Sequence, residues 1–74
     1  MLCNGIAVGR VIGRLRAQKG LSQQALSELA GISRSHLTLL ENGRKMMRLD
    51  TLFALADALG MKPSALVAMI EAEG

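Results

Sequence analysis

Residues 22–43 constrain the fold more than any other stretch of this 74-residue chain. Ser22 has a hydroxyl that can accept a backbone N–H from the first turn of a helix. Leu26, Leu29 and Ala30 then recur at helical spacing and predict one buried face. Gly31 follows, and glycine takes positive φ without penalty and so ends helices. After Ile32, Ser33 offers a second N-cap, Leu37 and Leu40 a second apolar face, and Gly43 a second stop. Two short helices joined by a glycine-containing turn of a few residues make a helix-turn-helix. A turn this tight brings the helices close, which requires a small residue midway along the first, and Ser27 stands there.

Once Ala30, Ile32, Leu37 and Leu40 are assigned to the interior, Arg34, Ser35 and Thr38 are left facing outward from the second helix. The pattern places His36 and Leu39 less firmly. A short polar and basic half-helix, free of core duty, is what a helix entering the major groove of DNA needs.

Charge is distributed to match. Residues 1–48 carry eight Lys/Arg against Glu28 and Glu41, a balance of +6, whereas residues 49–74 carry Lys62 against Asp50, Asp57, Glu71 and Glu73, a balance of −3. The basic part contains the two-helix motif, with most of its charge in the segments flanking residues 22–43, as an electrostatic footprint for phosphate would. Phe53 is the single aromatic residue, and Ala, Leu and Met outnumber β-branched residues, which favours helix over sheet. The chain is long enough for one small domain with a marginal core, so a dimer partner would help it. Cys3 stands alone, which rules out an internal disulfide, fits a reducing compartment and reads as a terminal thiol without a role. No apolar run is long enough to span a bilayer, and residues 1–9 lack the basic start and long apolar stretch of a secretory leader.

An all-α fold of five helices is therefore expected in one domain over residues 1–74, with helices at about 6–19, 23–30, 34–42, 50–59 and 63–72 and with residues 1–5 unfixed. Val8, Val11, Ile12 and Leu15 give the first helix its apolar face. Gly9 and Gly13 cost it about 1 kcal/mol each relative to Ala. They read as a frayed helix start, the alternative being close approach by another helix. Leu52, Leu55, Ala56 and Leu59 form the fourth helix's face, with Phe53 flanking it, and Pro63 suits the first position of the fifth. In that last helix Leu66 and Ile70 point to the core, while Val67 and Met69 look surplus to it.

The segments Leu21-Ser22-Gln23, Leu26, Ala30-Gly31, Ser33, Leu37, Leu40-Glu41-Asn42-Gly43 and Leu55-Ala56-Asp57-Ala58-Leu59-Gly60 resemble the lambda-repressor-like (Cro type) helix-turn-helix family in spacing as well as residue type. The resemblance covers residues 10–70, with Ser27 where the family more often has Ala. It implies a sequence-specific, double-stranded DNA-binding transcriptional regulator that acts as a homodimer on a pseudo-palindromic operator. It further implies an ion pair between Arg16 and Glu41, a backbone-facing loop at Arg44 and Lys45, and a two-fold contact through the last helix and the loop before it, at Val67, Met69 and Ile70; the alternatives are solvated surface charges, a solvated loop and core filling. The segment Ser33-Arg34-Ser35-His36-Leu37-Thr38 is similar to the recognition helix of restriction–modification controller proteins, and small phage repressors fit almost as well. That implies a stand-alone, cytoplasmic, bacterial or phage-encoded protein associated with the nucleoid, with no effector evident. Antitoxins share the fold, so a chain that also binds a toxin is the alternative; the absence of a toxin-wrapping tail argues mildly against it.

Binding DNA takes phosphate contacts that position and base contacts that specify. Gln23 opens the first motif helix, where unpaired N–H groups and its outward amide side chain can meet a phosphate. Asn42, Arg44 and Lys45 follow the recognition helix and suit the backbone further along. Thr38 suits a phosphate or a thymine methyl, and Leu39 either a thymine methyl or the flank of the fourth helix. Arg34 and Ser35 are the candidates for base edges, since Arg can bind O6 and N7 of guanine together. His36 reads as a base or phosphate contact or as cover over the helix start. Metal ligation, a cofactor and catalysis are not expected: one His and one Cys stand far apart, Gly9-Arg10-Val11-Ile12-Gly13 lacks the Lys-Ser/Thr of a phosphate loop, and the acids are scattered.

Overall fold

The computed structural model describes residues 4–74, and Cys3 lies outside the described residues. Five helices follow one another: α1 Gly5–Gln18, α2 Gln23–Ala30, α3 Arg34–Glu41, α4 Leu49–Ala58 and α5 Pro63–Glu73. The first starts one residue earlier than its apolar pattern suggests. Asn4, expected to be unfixed, caps it: the Ile6 N–H donates to Asn4 Oδ1 at 2.9 Å. Ser22 and Ser33 cap α2 and α3 as their positions predict, accepting from the N–H groups of Ala25 and His36, each at 3.0 Å.

Four helices end in the same way. Gly20, Gly31, Gly43 and Gly60 all have φ close to +70°. At the motif turn the Gly31 N–H donates to Glu28 O and the Ile32 N–H reaches back to Ser27 O at 3.0 Å, the paired bonds of a Schellman stop. This closes α2 within two residues and leaves Ser33 in place to start α3.

The core is Val8, Val11 and Ile12 of α1, Leu26 of α2, Leu37 and Leu40 of α3, Leu52, Leu55 and Ala56 of α4 with Leu59 just beyond it, and Leu66 and Ile70 of α5. Helix α1 packs on α3 and α5, α2 on α3 and α4, and α4 on α5. Ser27 is buried, and its hydroxyl donates to Gln24 O at 2.8 Å, so a polar group stands in the interior without a cost in unpaired hydrogen bonds.

Two further expectations change. Leu29, read as core, is 62% exposed. The buried arc of α2 is centred between Leu26, Ala30 and Ser27, and Leu29 lies roughly 100° from that centre at helical spacing. Gly9 is not a frayed start but a point of contact. It is buried, and a Cβ there would stand 2.7 Å from the Leu40 carbonyl oxygen and closer still to that of Glu41. The last turn of α3 thus rests directly on the α1 backbone. Among the described residues no single helix is long and apolar enough to cross a membrane.

Candidate nucleic-acid interface

Helix α3 divides as its sequence requires. Leu37 and Leu40 are fully buried, which fixes the rotation of the helix and turns Arg34 and Ser35 to solvent. Arg44 and Lys45, just past its other end, are also exposed, as is Asn42, which caps that end. Eight residues of helix span about 12 Å, so cationic groups bracket the recognition helix at both ends. Leu39 is 41% exposed. His36 is half-buried and gives its backbone N–H to the Ser33 cap.

Behind this face lies a polar cluster that ties three helices together. Arg16 Nε donates to Glu41 Oε2 at 2.8 Å and Arg16 Nη2 to Glu41 Oε1 at 3.0 Å. The fork is bidentate, and the two side chains are only 22% and 9% exposed. Arg16 Nη1 donates to Leu21 O at 2.9 Å, so the guanidinium also holds the chain between α1 and α2. The Glu41 hydrogen bond, assisted by its charge and opposed by desolvation, raises the Arg16 pKa above its ordinary value. The pair expected from resemblance is thus present at the atoms required.

The cluster extends beyond that pair. Gln23 Nε2 donates to Glu41 Oε1 at 3.1 Å, and Thr38 Oγ1 lies 3.1 Å from Gln23 Oε1 and 3.0 Å from Arg34 O. Gln23 and Thr38, singled out above as outward DNA contacts, therefore both carry internal hydrogen bonds and are half-buried. Residues 15 and 18 apart in sequence give no periodic signal of such bonds. The α2 N-terminus keeps the backbone N–H groups that a helix start leaves without intrahelical acceptors.

The last-helix residues divide differently from the expectation. Val67 is 40% exposed, but Ile70 is 7% exposed and belongs to the protomer's own core, and Met69 packs half-buried against that core. Two apolar groups of α4 also reach solvent, Leu49 at 70% and Phe53 at 53% exposure, one turn apart, and Leu49 lines a cavity together with Val67. Val8, Met47, Arg48, Leu49, Leu52, Val67 and Ile70 line a shallow apolar cavity of about 230 Å³ at this face. A pair that the sequence did not suggest, Arg14 with Glu73 at 3.0 Å, ties the end of α5 to α1.

The helix-turn-helix family profile matches residues 12–66, from α1 into α5. The chain is 42% identical over 60 residues to an uncharacterised HTH-type transcriptional regulator of Sinorhizobium fredii, covering 81% of this chain and 78% of the relative. It is also 42% identical over 62 residues to the immunity repressor protein of Bacillus phage phi105, covering 84% of this chain but only 43% of that longer protein. Among solved structures, the restriction-modification controller protein C.AhdI of Aeromonas hydrophila superposes with a TM-score of 0.82 at 34% identity, covering 88% of this chain and 98% of that one. The clp gene regulator ClgR of Corynebacterium glutamicum superposes with a TM-score of 0.85 at 26% identity, covering 97% and 94%. With capped helices, a glycine turn and an exposed second motif helix all where that profile falls, this chain belongs to the helix-turn-helix family of DNA-binding transcriptional regulators.

Proposed function

We propose that the chain binds a pseudo-palindromic operator as a homodimer, with α3 in the major groove and Arg34 and Ser35 at base edges. One observation carries this reading: the two leucines that anchor α3 are fully buried while Arg34 and Ser35 are exposed at its N-terminal turn. That turn is the part of a recognition helix that meets bases. Arg44, Lys45 and Asn42 at the other end, together with the backbone N–H groups that open α2 at Gln23, take phosphates and set the register. His36, half-buried at the helix start, serves the edge of this footprint. The dimer surface is Val67 with Leu49 and Phe53, and Met69 and Ile70 support it from beneath. A two-fold pair would then present two recognition helices to half-sites about 34 Å apart, one turn of the duplex.

The test is binding by Arg34→Ala to a site selected from a random pool and to unrelated DNA at one salt concentration. Specific binding should weaken by about 1–3 kcal/mol, with unrelated DNA nearly unaffected. Equal loss on both would make Arg34 a phosphate contact and move base reading elsewhere.

A further inference from the structure

The Thr38 hydroxyl has one proton and two acceptors in reach, Gln23 Oε1 at 3.1 Å and Arg34 O at 3.0 Å. The bond to Arg34 O alone does not fix the side chain. Threonine in a helix divides between two χ1 rotamers because its hydroxyl reaches the carbonyls of the preceding turn from either. Gln23 sits on one side of that choice. Its own orientation is settled by Glu41, whose carboxylate accepts from Nε2 at 3.1 Å and so turns Oε1 toward Thr38. The reverse orientation would set an amide oxygen against a carboxylate. Glu41 is in turn held by Arg16. The order of control runs from an ion pair through an amide to a hydroxyl, and it ends on the recognition helix.

Resting on the reading of α3 as the base-reading helix, we propose that Gln23 is a positioning residue for Thr38: it holds the hydroxyl toward α2, so that Thr38 offers the groove its methyl group and reads the 5-methyl of a thymine. Gln23 acts here through Thr38, whatever its backbone N–H does at a phosphate. The amide selects a base without touching one.

The experiment takes a duplex selected from a random pool by the full chain and replaces its thymines one at a time with deoxyuridine, which removes only the methyl. Wild type should lose about three- to fivefold in affinity at one symmetry-related pair of thymines, the size expected for one methyl leaving an apolar contact. Thr38→Ser, with no methyl, should be indifferent to that replacement. Gln23→Ala should lose most of the sensitivity, because Thr38 then samples both rotamers. Adding Thr38→Val to Gln23→Ala should restore it, since valine carries methyls on both branches and needs no hydroxyl partner. Should Gln23→Ala keep the full sensitivity, or weaken binding to every duplex alike with the sensitivity intact, Gln23 only braces Glu41 and the proposal is overturned. Wild type indifferent at every thymine also overturns it, but leaves α3 as the reading helix if Arg34→Ala still loses specific binding. Failure of the pool to yield any preferred site sinks both.

Discussion

A single missing side chain decides how closely the recognition helix can seat. At Gly9 the space that a Cβ would occupy is taken by the carbonyl oxygens of Leu40 and Glu41. Backbone cannot yield as the end of a flexible side chain can. Gly9→Ala should therefore cost several kcal/mol, at the upper end of what point substitutions do. Gly13, one turn later, makes the opposite case. A Cβ there meets only the Glu41 carboxyl group, Oε1 at 3.4 Å and Cδ at 3.8 Å, ordinary contact. Gly13→Ala should be neutral or stabilising by up to about 1 kcal/mol through helix propensity. Urea denaturation of the two variants checks both, and equal effects would remove the close approach. Neither fate was legible in the sequence, where the two glycines look alike. What separates them is the register of α3 against α1, which arises from core packing rather than from local pattern.

At the scale of elements, the tie between α1 and α3 is the Arg16–Glu41 fork. Glu41→Ala would strand a guanidinium that is 22% exposed and keeps its bond to Leu21 O, so the loss should fall below the range for fully buried pairs, at about 2–4 kcal/mol. A loss under about half a kcal/mol in urea denaturation would show the fork contributes nothing. Because the folded Arg16 pKa lies above its unfolded value, which is itself far above neutral, its share of this stability is fully present below the unfolded value and is lost only as pH rises through the folded one. The penalty of Glu41→Ala should thus be unchanged between about pH 7 and about pH 9. The helices themselves were largely legible, because Ser22, Ser33, Gly31 and Pro63 punctuate the chain with residues of narrow backbone or capping preference. The Arg16–Glu41 pair was foreseen from resemblance alone. Its extension through Gln23 to Thr38 was not legible, since residues on three helices meet only after those helices pack. Leu29 misled for the same reason: spacing reports a face but not which part of that face the neighbours cover.

The whole molecule measures 31 × 23 × 22 Å, so one copy cannot place a helix in two successive major grooves and still cover both half-sites. On the operator proposed above, occupancy then depends on pairing, and Leu49, Phe53 and Val67 are among the exposed apolar groups available for it. Phe53→Glu should give a monomer by sedimentation and lower affinity for a two-half-site duplex by about a hundredfold, as lost avidity does, while single half-site binding stays within about twofold. A variant that stays dimeric would move the two-fold axis elsewhere.

The seat at Gly9 has one more consequence. It grips α3 by main-chain carbonyls near its C-terminus, whereas Arg34 and Ser35, proposed above to meet bases, sit at the opposite end. Such an anchor is indifferent to the identity of residues 34 and 35. On the proposed reading, the scaffold permits new operators to be acquired by exchanging that tip alone, with no compensating change in the foundation beneath it.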